Sequence, residues 1–189
     1  MRKEGTELII IDAGHGGKDS GAVGNGLKEK DLALQIALIQ KRLCDIFGIE
    51  SAIIRNTDDF IDLNSRCKLI NASVSDITSD ICISNHINSA ENATAFGFEI
   101  IKKISDESSY ADDLLRMVKR SDILAVRKVY TVRNINGSDH FAINRLVKCR
   151  SYIIEWGFIK NKRDMDSIKH NIIVTASLPI IAYLQDKKY

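Results

Sequence analysis

At 189 residues, with 44% hydrophobic and 28% charged side chains, the chain has the composition of one folded domain, which excludes a disordered or proline-rich polymer. A formal charge of +2, with bases scattered among acids, excludes the electrostatic footprint of a nucleic-acid binder. No apolar run reaches the roughly 18 residues of a membrane helix, so no membrane insertion is expected.

Residues 8–11 are a β-branched apolar run that reads as a buried strand. A glycine-dense loop, 14–26, follows it. From Asp31 the period changes: Leu32, Ile36, Ile39, Leu43 and Ile46 recur at helical spacing, with Gly48 placed to end the helix. A strand is expected over 50–55 and a helix over 62–77, with Asp62 as its N-cap. Residues 80–84 read as a third strand, 96–102 as a fourth, 108–124 as a helix and 126–132 as a strand. A polar loop, 134–140, precedes the last strand, 151–154. The segment 162–185 is helical in pattern, and Pro179 is expected to start, kink or split it. Cys44, Cys67, Cys82 and Cys149 form no C-x-x-C pair and read as buried free thiols of a chain made in a reducing compartment. Strands alternating with helices predict a single α/β domain over 1–189 around a largely parallel sheet.

Ligand-type residues fall where such a sheet gathers them. His15 follows the first strand, His86 the third, and Glu155 ends the last; in open α/β sheets the carboxyl ends of strands line the ligand crevice. Glu29 closes the glycine-rich loop, which can fold back sharply because glycine accepts positive φ. Two imidazoles and a carboxylate match the three-ligand pattern of catalytic zinc with a fourth position for water, and Glu155 suits the acid/base, with Trp156 as a desolvating neighbour. Each residue also has a plainer reading: a surface histidine for His15 or His86, a helix-dipole partner for Glu29, a buried ion-pair member for Glu155.

The stretch Ile-Ile-Ile-Asp-Ala-Gly-His-Gly-Gly-Lys-Asp-Ser-Gly-Ala at 9–22 resembles the opening of the zinc N-acetylmuramoyl-L-alanine amidases of the amidase_3 type. Gly-Asn-Gly-Leu-Lys-Glu-Lys-Asp at 24–31 is similar to that family's segment with its glutamate ligand. Arg-Asn-Thr-Asp-Asp at 55–59, Asn-Ser-Arg at 64–66, Ser-Asn-His-Ile-Asn at 84–88 and Ile-Glu-Trp-Gly-Phe-Ile-Lys-Asn at 154–161 continue the resemblance in order. It implies a six-stranded, mostly parallel sheet flanked by helices. It further implies a Zn2+ ion on His15, Glu29 and His86, Glu155 as the catalytic residue, and hydrolysis of the amide between the muramic lactyl group and L-alanine of peptidoglycan. Asn85, Trp156 and Lys160 depart from the family's commoner residues, and no ligand is lost by them. Asn88 and Asn161 are weaker candidates for substrate contact, His140 reads as surface, and His170 carries no assignment.

A phosphate- or nucleotide-binding loop is the first rival; Gly17-Lys18-Asp19 lacks the Ser or Thr after the lysine and the spacing is wrong. A catalytically inactive peptidoglycan-binding module of the same fold is the second. No wall-binding domain is expected after the catalytic one, and a monomer is the working expectation. Residues 1–7 show no cleavable signal, so synthesis in the cytoplasm and release to the wall through a holin-type pore or by lysis is expected, as for a phage endolysin or a host autolysin.

Overall fold

In the computed structural model, which describes residues 7–186, the sheet is built outward from β1 (Ile9–Ala13), five residues that are all buried. A short hairpin of β2 (Val23–Gly24) and β3 (Leu27–Lys28) comes next, then α1 (Glu29–Phe47), β4 (Ser51–Ile53), α2 (Leu63–Ser73) and β5 (Ile81–Asn88). β6 (Phe98–Lys102), α3 (Tyr110–Ser121), β7 (Val126–Tyr130), α4 (Ala142–Leu146), β8 (Arg150–Phe158), α5 (Lys162–His170) and α6 (Ile172–Asp186) complete the chain. Six strands form one sheet in the order β4-β1-β5-β8-β6-β7. The β6–β8 pairing is antiparallel and the other four are parallel, the mostly parallel α/β architecture expected from the alternation.

Side chains of a strand alternate between its two faces, and the sheet uses this to separate two cores. Ile9, Ile11, Ile81, Ile83, Tyr152, Ile154 and Trp156 pack in one core with residues of α1, α3 and α6. Ile10, Cys82 and Ile153 face the other way, against Cys67 and Ile70 of α2 and Ile143 of α4. Among the described residues, that second face carries an eleven-residue and a five-residue helix. The chain leaves β1 through α1 to reach β4 on one side and then crosses through α2 to β5 on the other. The connections thus diverge between β1 and β5, the position at which α/β sheets open a crevice beyond their carboxyl ends.

Several boundaries differ from expectation. His86 and Glu155 lie within strands, because β5 runs on to Asn88 and β8 to Phe158. α1 begins at Glu29, two residues early, and α2 stops at Ser73; Asp62 does cap α2, accepting from the N–H groups of Asn64 and Ser65. The C-terminal segment splits at Asn171 rather than at Pro179, with a 78° bend between α5 and α6. Asn171 closes α5 by donating from its backbone N (3.0 Å) and Nδ2 (2.9 Å) to Ser167 O. Pro179 lies inside α6, its carbonyl accepting from Tyr110 Oη at 3.2 Å. All four cysteines are free and buried. No single helix among the described residues is long and apolar enough to cross a membrane; residues 1–6, on which the leader reading rests, lie outside them.

Candidate metal centre

β1 runs into Gly14 and His15, and His15 sits in the left-handed region with φ of 60°, a conformation that costs a non-glycine residue about 1–2 kcal/mol. Two buried arginines hold it there. Arg66 Nη2 donates to His15 O (2.7 Å) and Nη1 to Ala13 O (2.6 Å). Arg55 donates from Nε to Ala13 O (3.0 Å), and from Nη2 to both Gly14 O (2.8 Å) and Lys30 O (2.9 Å). Arg55 therefore ties the His15 loop to the first turn of α1.

The β2–β3 hairpin turns the glycine-rich segment back so that Glu29 arrives beside His15. Glu29 N donates to Ala22 O, and Ala22 N donates in return to Glu29 Oε2 at 2.8 Å. The other oxygen, Oε1, lies 3.1 Å from His15 Nε2 and 2.9 Å from His86 Nδ1, and accepts from Ile87 N at 3.0 Å. One ligand atom from each of His15, Glu29 and His86 falls within 4.8 Å of the others. The space around them is reserved for them. A Cβ at Gly14 would stand 2.4 Å from the His86 ring, and one at Gly21 would stand 2.6 Å from both Glu29 Oε2 and His15 Cδ2. Two imidazole nitrogens and one carboxylate in a cradle kept clear of side chains fit a divalent metal ion.

Burial disfavours the charged form of His15, but the hydrogen bond and charge of Glu29 overcome it and push its pKa up from 6.5 to about 9. His86 is raised likewise, its burial outweighed by the Glu29 hydrogen bond and nearby carboxylates. Glu29 itself is held well below the usual carboxylate range by the two imidazoles, against the effect of burial. In the metal-free protein the His15 pairing thus stabilises the fold fully below pH 6.5 and is lost as the pH rises through about 9. A metal ligand must be neutral imidazole, so uptake at pH 7 is expected to displace about one to two protons. Calorimetric titration of a divalent metal in buffers of different ionisation heat measures this release, and affinity should fall as the pH is lowered. Buffer-independent heats would contradict it.

Glu155 is the register partner of His86 on β5 and of Glu99 on β6. Its Oε2 is buried without a hydrogen-bond partner. Burial pushes its pKa up to about 7; His86 opposes this, and the charges of Glu29 and Glu99 add to it. Trp156 does not contribute as expected from the sequence: as the next residue in the strand it points to the opposite face, where Nε1 donates to Asn85 Oδ1 at 3.0 Å.

His15, His86 and Glu155 share a cavity of about 380 Å³ whose far wall is apolar, formed by Phe60, Leu63 and Phe141. Asn88 and Asn161 are not among its lining residues. Asn88 Nδ2 donates to Glu99 Oε2 at 3.1 Å, and Asn161 caps α5 by accepting from Asp164 N at 3.2 Å. His140 and His170 are exposed. The reading of single residues missed Arg55, Arg66 and Asp19, whose carboxylate lies 2.9 Å from His15 Nδ1. All three stand inside the motif stretches quoted above, which was the available signal.

A family profile described as N-acetylmuramoyl-L-alanine amidase, Amidase_3, matches residues 9–177. The endolysin of Bacillus phage SPP1 is 30% identical over 167 residues, covering 87% of this chain and 59% of its own. Among solved structures, Cwp6 from Clostridium difficile superposes with a TM-score of 0.87 at 27% identity, over 96% of this chain and 29% of that one. The N-acetylmuramoyl-L-alanine amidase AmiC2 of Nostoc punctiforme gives 0.79 at 28% identity, over 95% and 97%. The chain spans less than two thirds of the length of the endolysin and of Cwp6.

Proposed function

Because the chain belongs to the Amidase_3 family of N-acetylmuramoyl-L-alanine amidases, we propose that it hydrolyses the amide between the muramic lactyl group and L-alanine in peptidoglycan, with Zn2+ on His15, Glu29 and His86. The observation that carries this reading is the cluster of those three ligands, two of which, His15 and His86, line one cavity with an unpartnered carboxylate, Glu155. The ion would supply a Lewis acid that polarises the scissile carbonyl. Glu155, whose pKa burial raises to about 7 in the metal-free protein, takes a proton from attacking water and returns it to the departing amine of L-alanine. Asp19, Arg55 and Arg66 keep the ligand loop in place, and Phe60, Leu63 and Phe141 give the cavity an apolar lining.

Zinc-loaded protein is expected to release stem peptides with free N-terminal L-alanine from purified peptidoglycan, without new reducing ends. Mass spectrometry of the soluble products together with a reducing-sugar assay reads both. Reducing ends without free L-alanine would overturn the assignment of the bond. Sedimentation with the wall and no release would favour an inactive wall-binding module instead.

A further inference from the structure

We propose that Asp19 is a positioning residue for the metal, fixing the His15 imidazole with Nε2 turned toward the other ligands. This rests on the metal site proposed above. Asp19 Oδ2 lies 2.9 Å from His15 Nδ1, while His15 Nε2 faces Glu29 Oε1 at 3.1 Å. His86 meets the same oxygen through its other nitrogen, Nδ1. The two histidines therefore offer chemically different nitrogens, and His15 needs something to select its own. An imidazole that ligates through Nε2 keeps its proton on Nδ1, and a carboxylate at that position holds both tautomer and ring orientation.

The loop is shaped to put Asp19 there. Gly16 and Asp19 exchange two backbone hydrogen bonds, at 3.0 and 3.1 Å, which fold Asp19 back onto His15. The second carboxylate oxygen accepts from Gly21 N at 3.0 Å, and Gly21 is the residue whose missing side chain leaves room for Glu29 and His15. One side chain thus braces the imidazole and the segment that delivers the carboxylate ligand. Asp19 is half-exposed at the cavity, so neither buried charge nor core packing explains its place.

Zinc affinity, read by competition with a chromophoric chelator, is expected to fall about 10–100-fold in Asp19→Ala, and Asp19→Asn, which keeps an acceptor oxygen, should recover part of it. Long-range proton–nitrogen correlation spectra of the zinc-loaded parent should show His15 protonated at Nδ1. Equal zinc affinity of parent and Asp19→Ala would overturn the proposal, as would His15 ligation through Nδ1; the spectrum needs no variant to fold. A parent that takes up no zinc would instead defeat the metal reading itself.

Discussion

Exchange of Glu155 for Gln is expected to lower turnover of a muramoyl-peptide substrate by about 10²–10⁴-fold while metal uptake stays intact. Gln keeps the shape of the side chain and cannot accept the proton of water. Glu155 lies outside the set of three ligand residues, and its unpartnered Oε2 means that no hydrogen-bond network fails when it is changed. The same burial makes a second measurement informative. With a pKa raised from 4.5 to about 7 in the fold, Glu155 binds its proton more tightly in the native than in the unfolded state. The contribution of this one group to stability is therefore full below pH 4.5 and is lost as the pH rises through about 7. Metal-free Glu155→Gln should melt above the metal-free parent at pH 8 and level with it at pH 4. An activity lost together with stability at pH 8 would point to a structural role. Turnover equal to the parent's would remove Glu155 from the chemistry.

Most of the sheet could be read from hydrophobic period, since β1, β5 and β8 are runs buried on both faces and α1 repeats at helical spacing. What escaped was structure too short to carry a period: the two-residue strands β2 and β3 and the five-residue α4. The split at Asn171 escaped because apolar residues run on through α6, and because Pro179 is the residue that draws attention. At the site, His15, Glu29, His86 and Glu155 stand out as candidates from residue type and motif, and the fold brings the first three together. Their supports do not stand out, because hydrogen bonds across the fold leave no mark in local pattern. Asn85 and Trp156 illustrate this. Each departs from the commoner residue of the family pattern, and in the fold they meet: Asn85 Oδ1 accepts from Trp156 Nε1, and Asn85 Nδ2 donates to Gln40 Oε1 at 2.8 Å. Trp156 without Asn85 would leave its buried Nε1 unpaired, at a cost of about 1–3 kcal/mol, whereas Asn85 without Trp156 would keep Gln40 Nε2 as a donor to Oδ1 at 3.2 Å. Together with Gln40 they satisfy one another on the face of the sheet away from the cavity.

Arg66 is where stability and the metal centre depend on the same group, and Arg66→Met is expected to damage both. Asp12 is fully buried. It accepts from Arg66 Nη1 at 2.5 Å and from Ser84 Oγ at 2.6 Å. Methionine fills the space of the arginine stem but leaves the carboxylate without its counter-charge and the carbonyls of Ala13 and His15 without this donor. Removing one member of a buried pair costs about 3–5 kcal/mol, which for a chain of this size lowers the melting temperature by on the order of 10 °C. Pairing Arg66→Met with Asp12→Leu should restore much of that loss, because the uncompensated charge is then gone. The double variant would still lack the donor to His15 O, the bond that holds His15 at its positive φ. Its zinc affinity should therefore remain below that of the parent even where its melting temperature recovers. Recovery of both together would mean that Arg66 serves the core alone, and that the ligand loop is held by Arg55 and Asp19.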